Sequence, residues 1–232
     1  ERCQPRFRQD WSRRQCLDIG ELGVREFRRC YAASVRLVDD QVGRVLDALD
    51  ATGRAEDTVV VFTADHGDMC GGHGMIRKST NAMYDELLRV PLLLRWPGGL
   101  PAGVAELEAG VVDLAPTLLG LAGAGGLGPC HGCDLSPYLQ GRRPAVEAPP
   151  YRFGETVWAN PEHNRDRSRS HVIRYMVRGR GRKYFAFVGP GGGVADEYLF
   201  DLAADPGEMV NLAADPAHAG TVGEMRTAAA TW

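Results

Sequence analysis

One short run of residues constrains the fold of this chain more than any other feature. Thr58–Thr63 reads Thr-Val-Val-Val-Phe-Thr, a β-branched segment typical of a fully buried parallel strand. Asp65 and His66 follow almost at once, and Gly67 then allows a sharp turn. Ligands of open α/β sheets bind beyond the carboxyl ends of strands, so we expect these two side chains to lie at a functional site. A carboxylate and an imidazole on a rigid strand end form half of a divalent-metal site.

The same pair also has a plainer interpretation. From spacing alone, Asp65-His66-Gly67 is equally consistent with a metal half-site and with a capped turn that ends the strand. Lys78 stands thirteen residues after Asp65, in a long polar loop rich in glycine. Such loops often carry binding residues, and this lysine would bring a positive charge to an anionic substrate.

The rest of the chain predicts an α/β part followed by a small antiparallel sheet. Apolar residues recur every three or four positions from Val24 to Ala51, which predicts one long amphipathic helix ended by Gly53. Val90–Trp96 is expected to form a second parallel strand. We place the α/β part at residues 1–148 and a small C-terminal subdomain at residues 149–232. Four strand-like runs predict the sheet of that subdomain: Phe153–Trp158, Val172–Val177, Lys183–Val188 and Glu197–Leu202.

Three shorter helices complete the predicted elements. Met83–Leu88 and Val112–Ala122 are expected to be helical, with Asp113 as a candidate cap of the second. Asp215-Pro is a turn signal that opens a terminal helix.

Composition and motifs exclude several classes of protein. A net charge of −3 and 44% apolar residues argue against disorder and against a general polyanion binder. We expect no nucleic-acid partner, and we interpret the basic run Arg165–Arg182 as a hairpin surface. No stretch approaches about eighteen apolar residues, so no membrane span is expected. Cys130-His-Gly-Cys133 is interpreted as a pair of loop cysteines, with a local disulfide or a metal site as alternatives.

Several segments, in one fixed order, resemble the sulfatase family of the alkaline-phosphatase-like superfamily. The resemblance implies an α/β fold: an alkaline-phosphatase-like sandwich, here with a partial parallel sheet, plus a small C-terminal antiparallel-sheet subdomain. It also implies hydrolysis of a sulfate ester, carried by a small molecule or a glycan. The segments that carry the resemblance are Tyr31–Gly43, Thr63–Asp68, Gly72–Met75 with Lys78, Arg89–Gly98, Val112–Leu118 and Leu199–Leu212.

The resemblance also implies roles for individual residues. Asp65 and His66 match two of the family's metal ligands, and Lys78 matches the lysine that binds the sulfate group. Ca²⁺ is the first expectation for the metal, and Mg²⁺ is an alternative because oxygen-rich sites usually take one of these two ions. Mn²⁺ is a further alternative because one ligand, His66, is an imidazole. The family's nucleophile is a Cys or Ser in a Cys/Ser-x-Pro-Ser-Arg motif, with the Cys oxidised to formylglycine. This chain has no such motif, and Cys3-Gln-Pro-Arg6 lacks the serine.

The missing motif leads to two further expectations. We expect the chain to be the C-terminal portion of a larger enzyme, inactive and poorly soluble by itself, with formylglycine only in the missing segment. Two alternatives stay open: a phosphonate or phosphate-ester hydrolase of the same superfamily, and a non-catalytic remnant that keeps half of a metal site.

Overall fold

The computed structural model describes residues 20–78, 83–158, 172–189 and 192–232. Its α-helices are α1 (Gly20–Ala51), α2 (Asp85–Leu88), α3 (Leu114–Leu121), α4 (Ser136–Leu139) and α5 (Ala219–Thr231). Its strands are β1 (Val60–Thr63), β2 (Leu92–Arg95), β3 (Arg152–Trp158), β4 (Val172–Gly179), β5 (Arg182–Val188) and β6 (Val194–Asp201).

The described residues fall into two compact units. The helical unit consists of Glu21–Asp65 and Val90–Pro149, and the sheet unit consists of His66–Arg89 and Pro150–Trp232. The chain therefore leaves the helical unit after Asp65 and returns to it at Val90. A division into an α/β part at residues 1–148 and a small C-terminal subdomain at residues 149–232 stays a prediction.

The helical unit begins with the long helix that the sequence predicts. Helix α1 runs from Gly20 to Ala51, and Gly53 follows it with a φ of 67°. That left-handed conformation is the one that commonly ends helices and that favours glycine. The apolar stripe of α1 is not covered within the described structure, where the helix has no buried residue.

Strands β1 and β2 pair in the direction opposite to the one predicted. They are antiparallel, with Thr63 opposite Leu92 and Val60 opposite Arg95. The prediction of a partial parallel sheet is therefore wrong for these two strands. The reason lies in their connection, because the chain leaves β1 and re-enters β2 at the same end of the ladder. Parallel neighbours need a crossover that returns the chain to the opposite end, whereas here the end of β1 at Thr63 pairs with the start of β2 at Leu92.

The prediction that Thr58–Thr63 is a fully buried strand is also wrong for the described structure. All four residues of β1 are partly or largely exposed, and Phe62 keeps 39% of its surface accessible. Leu93, the partner of Phe62 across the ladder, is exposed as well. A β-branched run indicates that a strand is meant to be covered, but the covering surface is not among the residues described here.

Asp113 does not cap α3 as predicted. Its backbone is helical and its carboxylate makes no capping hydrogen bond to α3. Instead, its two oxygens accept the backbone N–H groups of Gly110 and Cys133, each at 2.8 Å. The buried carboxylate thus pins the loop Cys130–Cys133 against the start of α3. Neither cysteine of that loop is in a disulfide, in agreement with the interpretation as loop cysteines.

The sheet unit confirms the predicted antiparallel sheet. Its strands pair in the order β3-β4-β5-β6, within a few residues of the predicted limits. One face carries Met176, Phe185 and Phe200, which pack against buried residues from two described segments: Met69, Met75, Met83, Tyr84 and Leu87. The other face packs against α5, which follows a turn capped by Asp215 as expected. Residues 165–171 of the basic run Arg165–Arg182 lie outside the described residues. In the part of the chain that the structure describes, no helix combines the length and the apolar character needed to cross a membrane.

Candidate active site

Asp65 and His66 lie directly beyond the carboxyl end of β1, where the sequence places them. The Asp65 side chain is exposed and that of His66 is partly buried. His66 Nδ1 is 2.8 Å from the carbonyl oxygen of Gly67. A carbonyl oxygen only accepts hydrogen bonds, so Nδ1 carries the proton and donates it. In the neutral imidazole the lone pair is then on Nε2, the arrangement that metal-bound histidines use.

The backbone beside His66 is held tightly by helix α2. The Gly67 N–H donates to the carbonyl oxygen of Leu87 at 2.7 Å. A Cβ atom at position 67 would overlap the carbonyl oxygen of Glu86. Glycine is therefore required here by close approach of two backbones, and any larger residue would push His66 away from α2.

The loop that leads to Lys78 is strained and braced. Cys70, His73 and Arg77 all have positive φ angles, between 46° and 63°. Such conformations cost about 1–3 kcal/mol each and persist only where surrounding contacts enforce them. One such contact is the ring of His73, which stacks on Tyr84 with centroids 3.7 Å apart and planes 7° apart. Burial lowers the pKa of His73, although the nearby Glu86 acts in the opposite direction.

Lys78 is exposed at the end of this loop. The predicted binding loop continues through residues 79–82, which lie outside the described residues. Among the residues that are described, no group of three or more His, Cys, Asp or Glu side chains is arranged to hold a metal ion. The donor chemistry of Asp65 and His66 fits a divalent cation, but the two residues supply only part of a coordination shell.

A buried ion cluster lies beneath α2. Asp85 accepts hydrogen bonds from Arg178 Nη1 through both carboxylate oxygens and from Lys183 Nζ through Oδ1, all at 2.7 Å. Glu208 lies on the other side of Lys183, with its Oε1 and Oε2 at 2.8 and 3.0 Å from Nζ. Its Oε2 also accepts the backbone N–H of Asp85 at 2.6 Å. We refer to Asp85, Arg178, Lys183 and Glu208 as the α2 cluster.

The two carboxylates of the α2 cluster respond to burial in different ways. Burial disfavours the charged form of Asp85, but Lys183 and Arg178 outweigh it and lower the pKa of this carboxyl. Burial raises the pKa of Glu208 despite the charge of Lys183, and the like charge of Asp85 acts in the same direction. Glu208 is the deeper of the two, with 1% of its side chain exposed against 17% for Asp85.

Sequence reasoning missed this cluster, although a signal for it exists. Side chains in a strand alternate between faces, so Lys183 shares a face of β5 with Phe185 and Phe187. A lysine on the same strand face as core phenylalanines predicts a buried charge, and a buried lysine predicts acidic partners. The partners themselves lie 98 residues before and 25 residues after Lys183, a separation that no local pattern reveals.

Two family models match the chain over long stretches. The model described as Sulfatase matches residues 2–124, and the model described as N-sulphoglucosamine sulphohydrolase, C-terminal, matches residues 71–230. Each covers more than half of the 232 residues. The chain belongs to the sulfatase family. The resemblance inferred from the sequence motifs is thereby confirmed.

Similar proteins from the same superfamily agree with this membership. The multifunctional alkaline phosphatase superfamily protein PehA of Trinickia caryophylli is 31% identical over 93% of this chain. An N-acetylglucosamine-6-O-sulfatase of Bacteroides thetaiotaomicron is 33% identical over 81% of it. Among solved structures, a phosphonate monoester hydrolase of Agrobacterium radiobacter superposes on 90% of the chain with a TM-score of 0.77 and 28% identity. The chain therefore shares the alkaline-phosphatase-like fold of these proteins.

This sulfatase-family chain is shorter than the proteins it resembles. It spans 41% of PehA, 32% of the N-acetylglucosamine-6-O-sulfatase and 41% of the phosphonate monoester hydrolase. These proteins therefore contain, outside the matched region, more than half of their own length.

Proposed function

We propose that this chain contributes half of a divalent-metal site and a substrate-binding lysine to a sulfuric ester hydrolase. The observation that carries the proposal is the hydrogen bond from His66 Nδ1 to the Gly67 carbonyl oxygen, which leaves the lone pair of the neutral ring on Nε2. Asp65 adds an exposed carboxylate from the adjacent position. Membership of the sulfatase family supplies the reaction class.

Each residue has a defined role in this proposal. Asp65 and His66 would hold the cation, for which Ca²⁺ is the first candidate and Mn²⁺ or Mg²⁺ the alternatives. A bound divalent cation supplies Lewis-acid polarisation of the ester oxygens. Lys78 would place a compact positive charge against the sulfate oxyanion. The nucleophile and the remaining ligands would come from sequence outside this chain, in a sandwich fold that includes the present helices and strands.

Similar proteins support a proposal for the substrate class. Names such as N-acetylglucosamine-6-O-sulfatase and Delta 4,5-hexuronate-2-O-sulfatase describe proteins that act on sulfated sugars. We propose a sulfate ester on a glycan or another small molecule as the substrate here. A phosphonate or phosphate ester is the second candidate, since a phosphonate monoester hydrolase has the same fold with a TM-score of 0.77.

Metal binding by the 232-residue chain tests the site directly. We expect Mn²⁺, followed by electron paramagnetic resonance, to bind weakly, with a Kd on the order of 10⁻³ M because only two protein ligands are present. Asp65→Asn and His66→Ala should each abolish this binding. Asp57→Asn is the matched control, because it removes an exposed carboxylate from the short helical turn that precedes the same strand. Equal loss in the control, or no loss in the site variants, would contradict the assignment.

Activity is tested in a longer product that includes a Cys/Ser-x-Pro-Ser-Arg segment. There, Asp65→Ala should lower kcat by several orders of magnitude, because the cation would lose a ligand. Lys78→Ala should reduce kcat/KM for 4-nitrophenyl sulfate by about 10²–10³-fold, as loss of an oxyanion donor typically does. Faster turnover of a phosphonate monoester than of the sulfate would favour the second candidate.

A further inference from the structure

We propose that Lys183 is a positioning residue for His66, acting through Asp85, Glu208 and helix α2. The inference rests on the proposed metal site, since a position for His66 matters to function only if His66 is a ligand. It concerns residues of β5 and of the loop after β6, which are far from the predicted site in the sequence.

The burial of Lys183 calls for an explanation. Its side chain is 0% exposed, and lysines are almost never fully buried unless paired. A buried ion pair is a weak source of stability, because well-packed apolar residues often do as well or better. What such a pair does supply is a fixed geometry, since each charge must keep its partners within hydrogen-bond distance.

The α2 cluster fixes the start of a helix that has little stability of its own. Helix α2 has only four residues, so its position depends on tertiary contacts rather than on helix propensity. Its first residue, Asp85, is held through the carboxylate by Lys183 and through the backbone N–H by Glu208. Arg178 from β4 adds two hydrogen bonds to the same carboxylate.

Helix α2 in turn fixes the backbone beside His66. The Leu87 carbonyl oxygen accepts the Gly67 N–H at 2.7 Å, and the Gly67 carbonyl oxygen accepts the His66 Nδ1–H at 2.8 Å. A continuous series of short contacts therefore runs from Lys183 to the imidazole. Tyr84, the residue before α2, also stacks on His73 and so braces the loop that leads to Lys78.

The test measures the local opening of this connection in the 232-residue chain. Amide hydrogen exchange, read by mass spectrometry, compares a peptide that contains Gly67 with a peptide from β5. We expect Lys183→Met and Asp85→Asn to accelerate exchange at Gly67 by at least about tenfold more than in β5, since hydrogen bonds to charged groups are being lost. The Kd for Mn²⁺ should rise by about 10–100-fold, as for other groups that orient a metal ligand.

Arg182→Met is the matched control. Arg182 precedes Lys183 in β5 and pairs with Asp201 at 2.6 Å, but it does not contact Asp85. The control should leave both the exchange rate of the Gly67 peptide and the Kd for Mn²⁺ at their wild-type values. Equal acceleration at Gly67 and in β5, or an equal effect of the control, would overturn the proposal, because either result indicates only a general loss of stability.

The test also covers a variant that does not fold and a wild-type chain that does not bind Mn²⁺. If a single variant does not fold, the double variant Asp85→Asn/Lys183→Met removes one charge of each sign, and the same comparison of peptides applies to it. If the wild-type chain binds no Mn²⁺, the metal assignment fails, whereas the exchange at Gly67 still decides whether the α2 cluster positions the backbone beside His66.

Discussion

At the scale of single residues, two charged side chains of the α2 cluster each pair with two partners of opposite charge. Lys183 is shared between two carboxylates, and Asp85 is shared between two cations. The cluster therefore holds two potential negative and two positive charges in a largely buried space. Burial raises the pKa of Glu208, whereas the two cations lower that of Asp85. The stability of the sheet unit should depend on pH through both groups, in opposite directions.

Asp85 should govern the loss of stability in strong acid. Its pKa in the folded chain is below the reference value of 3.8, so its contribution is complete above pH 3.8 and is lost as pH falls through the folded pKa. The pKa of Glu208 is raised from 4.5, so its contribution is complete below pH 4.5 and is lost as pH rises through the folded pKa. Asp85→Asn should therefore flatten the acid side of the stability curve. Urea unfolding from about pH 2 to about pH 6 measures this. Superimposable acid limbs in the wild type and the variant would contradict it.

At the scale of elements, the sequence predicted those whose signals are local. The strands β3 to β6 were predictable because alternation and turn residues delimit each one. Helix α1 was predictable from its periodicity and from Gly53. The antiparallel direction of β1 and β2 was not predictable, because a β-branched run predicts a strand but does not determine which strand pairs with it or in which direction. The contacts of Lys183 were likewise beyond local patterns.

Helix α5 is the clearest case of an element held by its buried face. Val222 and Met225 lie against Tyr184 and Leu199 of the sheet, and Arg226 donates two hydrogen bonds to Glu197 at 2.8 Å. Met225→Ala should lower the free energy of unfolding by about 2–5 kcal/mol, because it leaves a cavity in this core.

Thr227→Ala serves as the control for this prediction, since Thr227 lies on the exposed side of α5. It should change the free energy of unfolding by less than about 0.5 kcal/mol. Chemical denaturation of both variants, followed by circular dichroism, makes the comparison. Similar midpoints for the two would mean that α5 does not derive its stability from the face that meets the sheet.

At the scale of the whole molecule, a substantial apolar surface is left uncovered. Val35 and Val38 on α1 are each more than half exposed, and Phe62 and Leu93 on the two-stranded sheet are exposed as well. Two strands alone are marginally stable, and uncovered edges promote pairing with other chains. Large exposed apolar patches typically mark interfaces. The chain spans only 41% of PehA, so that protein contains sequence with no counterpart among these residues.

The 232-residue chain should therefore self-associate when it is produced alone. Light scattering should show an apparent mass that rises with concentration. The double variant Val35→Glu/Val38→Lys places charges on the α1 stripe and should reduce this rise, because charged side chains resist burial between copies. Val104→Glu/Leu127→Lys makes the same chemical change at exposed loop positions outside the stripe, and it should have little effect. If both double variants reduced the rise in apparent mass equally, added charged side chains at any exposed position, rather than at the uncovered helix face, would explain the effect. A wild-type chain that stayed monomeric at every concentration would mean that the uncovered α1 stripe does not drive association.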